Sequence, residues 1–242
     1  MAGGRDATGG EEENNLTLLG AWPSPFVIRA RVALNLRGLP YRYAEEKDLF
    51  GGKSELLLAS NPVHRKVPVL IHNGRPVCES RVIVEYVDEA FPAASGPRLL
   101  PADPYDRAVA RFWAAFVDDK LLSTWIPVYG GRTGGERADA ARRVVEVLET
   151  LERAFEECSG GGKPFFGGDG AGFVDVVLGG FLGWLRASEA MCGVKALDAE
   201  RTPLLAAWGE RFGALDGVRE VIPGVERLVE YNKMRRARLG LP

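Results

Sequence analysis

The chain changes character between Pro92 and Pro97. Before this Pro-Ala-Ala-Ser-Gly-Pro stretch, short apolar runs alternate with helix patterns; beyond it, strand signals disappear. Leu16–Gly20 reads as a strand, followed by a helix to Arg37 with Gly38 as its stop signal. Tyr41–Tyr43 reads as a second strand and Ser54–Ala59 as a short helical turn. Val67–His72 and Arg75–Cys78 are apolar runs joined by Asn73-Gly74, a strong hairpin signal. Val82, Ile83, Tyr86 and Val87 then set a helix running to Phe91. The order β-α-β-turn-β-β-α predicts a small α/β domain over residues 16–93 that mixes parallel and antiparallel pairing.

Residues 94–103 read as the linker to an all-helical domain over 104–242. There Tyr105, Ala108, Val109, Phe112 and Phe116 recur at helical spacing, and Glu136–Cys158 carries an apolar stripe. Phe173–Ala190 is apolar almost all round, which predicts one central helix. Shorter helices are expected around Pro203–Phe212 and Val218–Arg238. The fold class is therefore α/β plus all-α.

Of 242 residues 46% are hydrophobic, enough for a sizeable core. Lys and Arg total 31 against 33 Asp and Glu, and no basic stripe carries interleaved aromatics, so nucleic acid is not an expected partner. Three scattered cysteines do not make a disulfide framework, and they fit a reducing, cytoplasmic setting. Two histidines, His64 and His72, form no ligand cluster with them, so no metal is expected. No apolar run is long enough to cross a bilayer. Residues 1–15, rich in Gly and Glu, read as a disordered extension rather than a targeting signal. The later Gly-rich loops lack the strand, Lys and Ser/Thr of a phosphate cradle.

Chemistry concentrates in Trp22-Pro23-Ser24-Pro25-Phe26, where an apolar run turns into a helix. Pro25 suits the first helical turn, because it gives up only an N–H without an intrahelical partner. Ser24 then falls at the N-cap, beside free amides and the positive end of the helix dipole, a place that favours an anion such as a thiolate. Pro68 enters a strand at a point where it cannot donate to a ladder. Ser80 follows a strand directly, can cap the next helix, and offers its amide and hydroxyl to a carboxylate; Glu79 beside it suits an ammonium group. Lys53 lies in a loop as a cation able to reach a second carboxylate. Together these describe a site for a short dianionic peptide.

The motifs Trp22-Pro23-Ser24-Pro25-Phe26 with Arg29, Asn61 to Leu70, Cys78-Glu79-Ser80, Leu99-Leu100-Pro101 and Arg111-Phe112-Trp113 resemble those of cytosolic glutathione S-transferases, most closely the plant tau class. The resemblance covers residues 16 to about 233. It implies a thioredoxin-like N-terminal domain, a cis Pro68 and a homodimer. It further implies that Ser24 donates a hydrogen bond to the sulfur of glutathione, which serves as co-substrate with no permanently bound cofactor. Lys53 would bind the glycyl carboxylate (with Lys66 as a neighbouring candidate, since the 49–53 loop looks expanded), Val67 would pair with the cysteinyl backbone, and Glu79 and Ser80 would hold the γ-glutamyl end. Arg29 would support the site without touching the ligand. Small hydrophobic electrophiles, xenobiotic or stress-derived, would meet walls formed by Trp22, Phe26, Phe116, Lys120 and Trp184, with Tyr231 as a further candidate.

Two rival readings follow. A thiol–disulfide reductase on the same fold needs a cysteine where Ser24 stands, because serine cannot form a mixed disulfide. A carrier of apolar ligands such as flavonoids or hormones would use the same pocket without turnover.

Overall fold

Four short strands form one mixed sheet in the order β2-β1-β3-β4: Leu16–Gly20 (β1), Arg42–Glu45 (β2), Val69–His72 (β3) and Arg75–Cys78 (β4). The computed structural model describes residues 15–47 and 51–242. The reading of residues 1–15 as a disordered extension thus lies outside it except for Asn15, and the reading of an expanded 49–53 loop lies partly outside. β1 runs parallel to β2 and antiparallel to β3, and β3 turns into β4 through Asn73 and Gly74, both at positive φ. That dihedral pair is what the Asn-Gly sequence favours.

Alternation along β1 divides the core between the two faces of the sheet. Leu16 and Leu18 join the main core beneath helices Pro25–Leu36 (α1) and Ser80–Ala90 (α3). Leu19 instead packs with Val69 and with Leu57 of the short helix Glu55–Ser60 (α2), on the other face. β3 starts at Val69 rather than Val67, because Pro68 brings no N–H to the ladder. The Val67–Pro68 peptide is cis.

Every regular element of the second half is helical. Pro104–Phe116 (α4), capped by Asp103, runs on through a π turn at Val117–Leu121 into Leu122–Gly130 (α5). The apolar spacing followed in the sequence reaches Phe116, and the structure carries the same rod on through the π turn to Gly130. Gly134–Cys158 (α6) opens with a capping box between Thr133 and Glu136. The expected central helix is divided into Phe173–Gly179 (α7) and Leu182–Cys192 (α8). The chain packs tightly on α1 at the break: a Cβ on Gly180 would sit 2.5 Å from the Pro25 carbonyl oxygen, which requires glycine there. Pro203–Ala214 (α9) agrees with expectation, whereas the last helix (α10) spans only Val225–Arg238, after a turn that contains Pro223. One continuous core runs from Leu18 and Ile83 to Val144, Leu178 and Trp208, so sheet and bundle share a single apolar interior. Among the described residues no helix is long and apolar enough to cross a membrane, and no cluster of His, Cys, Asp and Glu has the makings of a metal site.

Candidate active site

Ser24 stands where β1 gives way to α1. Its own N–H bonds the Ala21 carbonyl at 3.0 Å, and its Oγ accepts from the Val27 N–H at 3.4 Å, as an N-cap serine does. The hydroxyl proton is therefore free to be donated outward. The same turn is anchored from the bundle: the Trp184 indole N–H donates to the Pro23 carbonyl at 2.8 Å, across more than 160 residues of chain.

A cavity of about 450 Å³ lies on the sheet side, lined by Asn61, His64, Lys66, Val67, Pro68, Glu79 and Ser80, with Asp118 and Asp119 opposite. Glu79 has φ of 72°, an unusual backbone for a residue with a Cβ, and this turn delivers the chain from β4 into α3. Glu79, not Ser80, is thus the N-cap, and no side chain caps this helix. This corrects the expectation that Ser80 caps: Ser80 sits inside the first turn, where its N–H has no intrahelical partner. The Ser80 hydroxyl instead accepts from Arg29 Nη1 at 3.3 Å. The buried Arg29 also donates to the Val177 carbonyl at 2.8 Å and pairs with Asp118 at 2.7 Å. Asp118 pairs in turn with Arg81 at 2.9 Å, so the π turn props the start of α3. Burial pulls the Arg29 pKa down, and Asp118 opposes that fall. Lys53 does not line this cavity; its ammonium donates to the Arg65 carbonyl at 2.7 Å. Lys66 does line it.

A second cavity, of about 250 Å³, borders the first along Phe26 and Leu122. Its lining includes Pro23, Ser24 and Pro25 on one side and Trp125, Tyr129, Trp184, Tyr231 and Arg235 on the other. Of the expected walls, Phe26, Trp184 and Tyr231 are present. Trp22 faces elsewhere, meeting Tyr231 edge-on at 5.3 Å with the Arg227 guanidinium over its ring at 3.8 Å, and it lines a neighbouring cavity with Glu45 and Met234. Phe116 lies edge-on to Trp113 at 5.4 Å, and Lys120 is exposed on the π turn; neither is in this lining. Sequence reading missed Leu122, Trp125, Tyr129 and Arg235. The first three recur at i, i+3 and i+7, a helical spacing in the sequence that would have found them.

A family model of the glutathione S-transferase N-terminal domain matches residues 14–89, and one of the C-terminal domain matches residues 135–211. The chain is 57% identical to the probable glutathione S-transferase GSTU6 of Oryza sativa subsp. japonica over 90% of its length and 93% of the relative's. It is 47% identical to a solved tau class glutathione S-transferase of mango, Mangifera indica, covering 91% of this chain and 98% of that one at a TM-score of 0.84. The chain belongs to the glutathione S-transferases, tau class. A further tau-like transferase, glutathione S-transferase U17 of Arabidopsis thaliana, shares 49% identity over 91% of this chain and 95% of its own. Rice GST1, solved in complex with glutathione, superposes at a TM-score of 0.83 with 43% identity, covering 94% and 98% of the two chains. The activity of this transferase is that of its family, and its thioredoxin-like sheet followed by a helical domain is the family architecture.

Proposed function

We propose that this transferase holds glutathione in the 450 Å³ cavity with its sulfur toward Ser24, and that the adjoining cavity receives an apolar electrophile. The observation that carries this reading is the seam. A polar cavity and an aromatic one share Phe26 and Leu122, and Ser24 borders the aromatic side with its hydroxyl proton uncommitted. Val67 would pair with the cysteinyl backbone. Glu79 would take the γ-glutamyl ammonium, and the Ser80 amide its carboxylate, with Arg29 keeping Ser80 in place as a positioning residue. Lys66 is the better-supported partner for the glycyl carboxylate, because it lines the cavity, whereas Lys53 lies outside the lining and donates to the Arg65 carbonyl.

A free thiol with a pKa near 8.5 is only roughly 3% thiolate at pH 7. A donated hydroxyl and a helix N-terminus both favour the anion, and a fall of about two units would be worth about 2.7 kcal/mol and make thiolate the majority form. The thiol proton leaves to solvent, the sulfur forms a bond to the electrophilic carbon, and the leaving group departs with its electron pair. Stronger lowering would add little, since nucleophilicity falls with basicity. Ser24 stabilises the bound nucleophile and is not itself one. The role that fits is the detoxification of xenobiotic and stress-derived electrophiles, in the cytosol, where the free thiols of Cys78, Cys158 and Cys192 persist.

Steady-state conjugation of glutathione to an aryl halide tests the assignment. Ser24→Ala should lower kcat/KM about ten- to a hundredfold, the worth of one hydrogen bond to a charged group. Lys66→Ala should raise the KM for glutathione more than Lys53→Ala does. Unchanged turnover in Ser24→Ala would remove Ser24 from the chemistry, and a native protein that binds glutathione without turnover would be a carrier. The active species is proposed to be a homodimer, supported by the exposed apolar side chains on α3 and α4.

A further inference from the structure

We propose that Arg235 makes the aromatic cavity selective for electrophiles that carry a carboxylate, so that the preferred second substrates are aromatic or extended apolar acids. The inference rests on reading that cavity as the second substrate's site. Its walls are aromatic or apolar, with Ser24 at one side, and Arg235 is the charged residue in its lining. No acidic side chain shares that lining. The Arg235 guanidinium lies over the Tyr129 ring, its Cζ 4.5 Å from the centroid. Among the described residues its Nη1 is buried and has no hydrogen-bond partner. The side chain as a whole is half-buried, but a guanidinium N–H buried without an acceptor is costly to leave so, and a bound anion would relieve it.

Arg235 also borders the neighbouring cavity that Glu45 and Glu46 line, but neither carboxylate bonds it. Glu45 accepts the Trp22 N–H at 3.1 Å, and Glu46 takes both the N–H and the hydroxyl of Ser54 at 3.1 and 2.7 Å. The cations around it are committed: Arg227 covers Trp22, and Arg236 donates to the carbonyls of Tyr129, Gly131 and Pro242. Arg235 is left over. It sits in the last turn of α10, where the helix dipole suits a cation. A planar guanidinium against an aromatic wall fits a carboxylate joined to a flat apolar body, since the fork takes both oxygens while the ring packs beside Tyr129 and Trp184.

Binding and turnover separate this proposal from the reading beneath it. Quenching of indole fluorescence, with Trp125 and Trp184 in the walls, reports binding of 3,5-dinitrobenzoate and of its neutral counterpart 3,5-dinitrobenzamide without any reaction. The native protein should bind the benzoate about tenfold more tightly or better, the worth of one charge-assisted contact. Arg235→Gln should abolish that preference, and Arg235→Lys should keep part of it. In turnover the pair is 4-chloro-3,5-dinitrobenzoate and its amide: a carbon–sulfur bond forms, the carbon–chlorine bond breaks, chloride leaves and the thiol proton goes to solvent. The kcat/KM ratio should follow the binding ratio in all three proteins. A native protein without preference overturns the proposal, whether or not any variant folds. So does an equal loss for acid and amide in Arg235→Gln, which would make Arg235 a packing strut on Tyr129. A raised KM for glutathione with the preference intact would place Arg235 on the co-substrate and overturn it too. If Ser24→Ala leaves turnover unchanged while the binding preference holds, the Ser24 assignment fails and the Arg235 proposal stands.

Discussion

Asp175 is a carboxylate with no solvent and four donors. The backbone N–H groups of Phe166, Gly167 and Gly172 reach it at 2.8–3.0 Å, and the Trp208 indole donates at 2.7 Å. It ties the Gly-rich loop to the start of α7 and α7 to α9. Burial raises its pKa, the four donors offset part of that rise, and the result is a carboxyl pushed up to about 6 from 3.8. Between those two values the native state holds a proton that the unfolded chain has released. The group's contribution to stability is then full below pH 3.8 and is lost as pH rises through about 6, by at most about 3 kcal/mol. Urea denaturation of the native protein and Asp175→Asn at pH 5 and 7.5 checks the sign. The native protein should be the more stable at both, with a smaller margin at the higher pH; a margin that grows would mean the four donors favour the anion outright. Nothing around position 175 in the sequence announced this residue. Three of its partners are amides of an irregular Gly-rich loop, which no periodicity marks, and the fourth is an indole 33 residues on; Ser24 was legible because its signal is local: a hydroxyl, a proline and the start of an apolar stripe.

At the scale of elements, the strands and the first helices were legible because period-two and helical patterns there are short and bounded by Gly, Pro or Asn-Gly. The bundle was less so. Apolar periodicity does not distinguish one long helix from two in succession, and α7 and α8 are separated at Gly180-Phe181, where the chain packs closely on α1. A methyl group on Gly180 would approach the Pro25 carbonyl oxygen to 2.5 Å and Arg29 Cγ to 2.8 Å. Glycine to alanine in an open helical position stabilises by about 0.5–1 kcal/mol. Gly180→Ala should instead destabilise by about 1–3 kcal/mol, the usual cost of overpacking, and should lower kcat/KM because the displaced atoms belong to the Ser24 turn and its support. Thermal unfolding beside steady-state kinetics reads both; a raised Tm would show that α1 and α7 are not in firm contact there.

Across the whole molecule, the feature still to be accounted for is apolar surface. Tyr105 and Phe112 on α4 are 76% and 61% exposed, Val82 on α3 is 52% exposed, and Val63 in the loop before β3 is 81% exposed. An ion pair between Arg111 and Glu85 at 2.6 Å links α4 to α3 close in sequence to Phe112 and Val82. Their burial against a second copy is the expected remedy. Sedimentation at micromolar concentration should return a dimer, and Phe112→Asp should return a folded monomer; a monomeric native protein would end the dimer reading. The sequence could suggest such a pair only through family likeness, because exposure is a property of the assembled surface rather than of any stretch of residues.

The rod formed by α4, the π turn and α5 serves both cavities at once, presenting Asp118 and Asp119 to one and Leu122, Trp125 and Tyr129 to the other. Its π turn acts as a phase setting. Adding one more residue between 118 and 121 would rotate everything downstream by about 100° relative to everything upstream. Trp125 and Tyr129 would leave the pocket while Asp118 kept its hold on Arg29. Pocket-lining side chains on this rod can therefore be exchanged in evolution or in design, but the rod cannot be lengthened there, and new acceptor preferences must arise by substitution rather than by insertion.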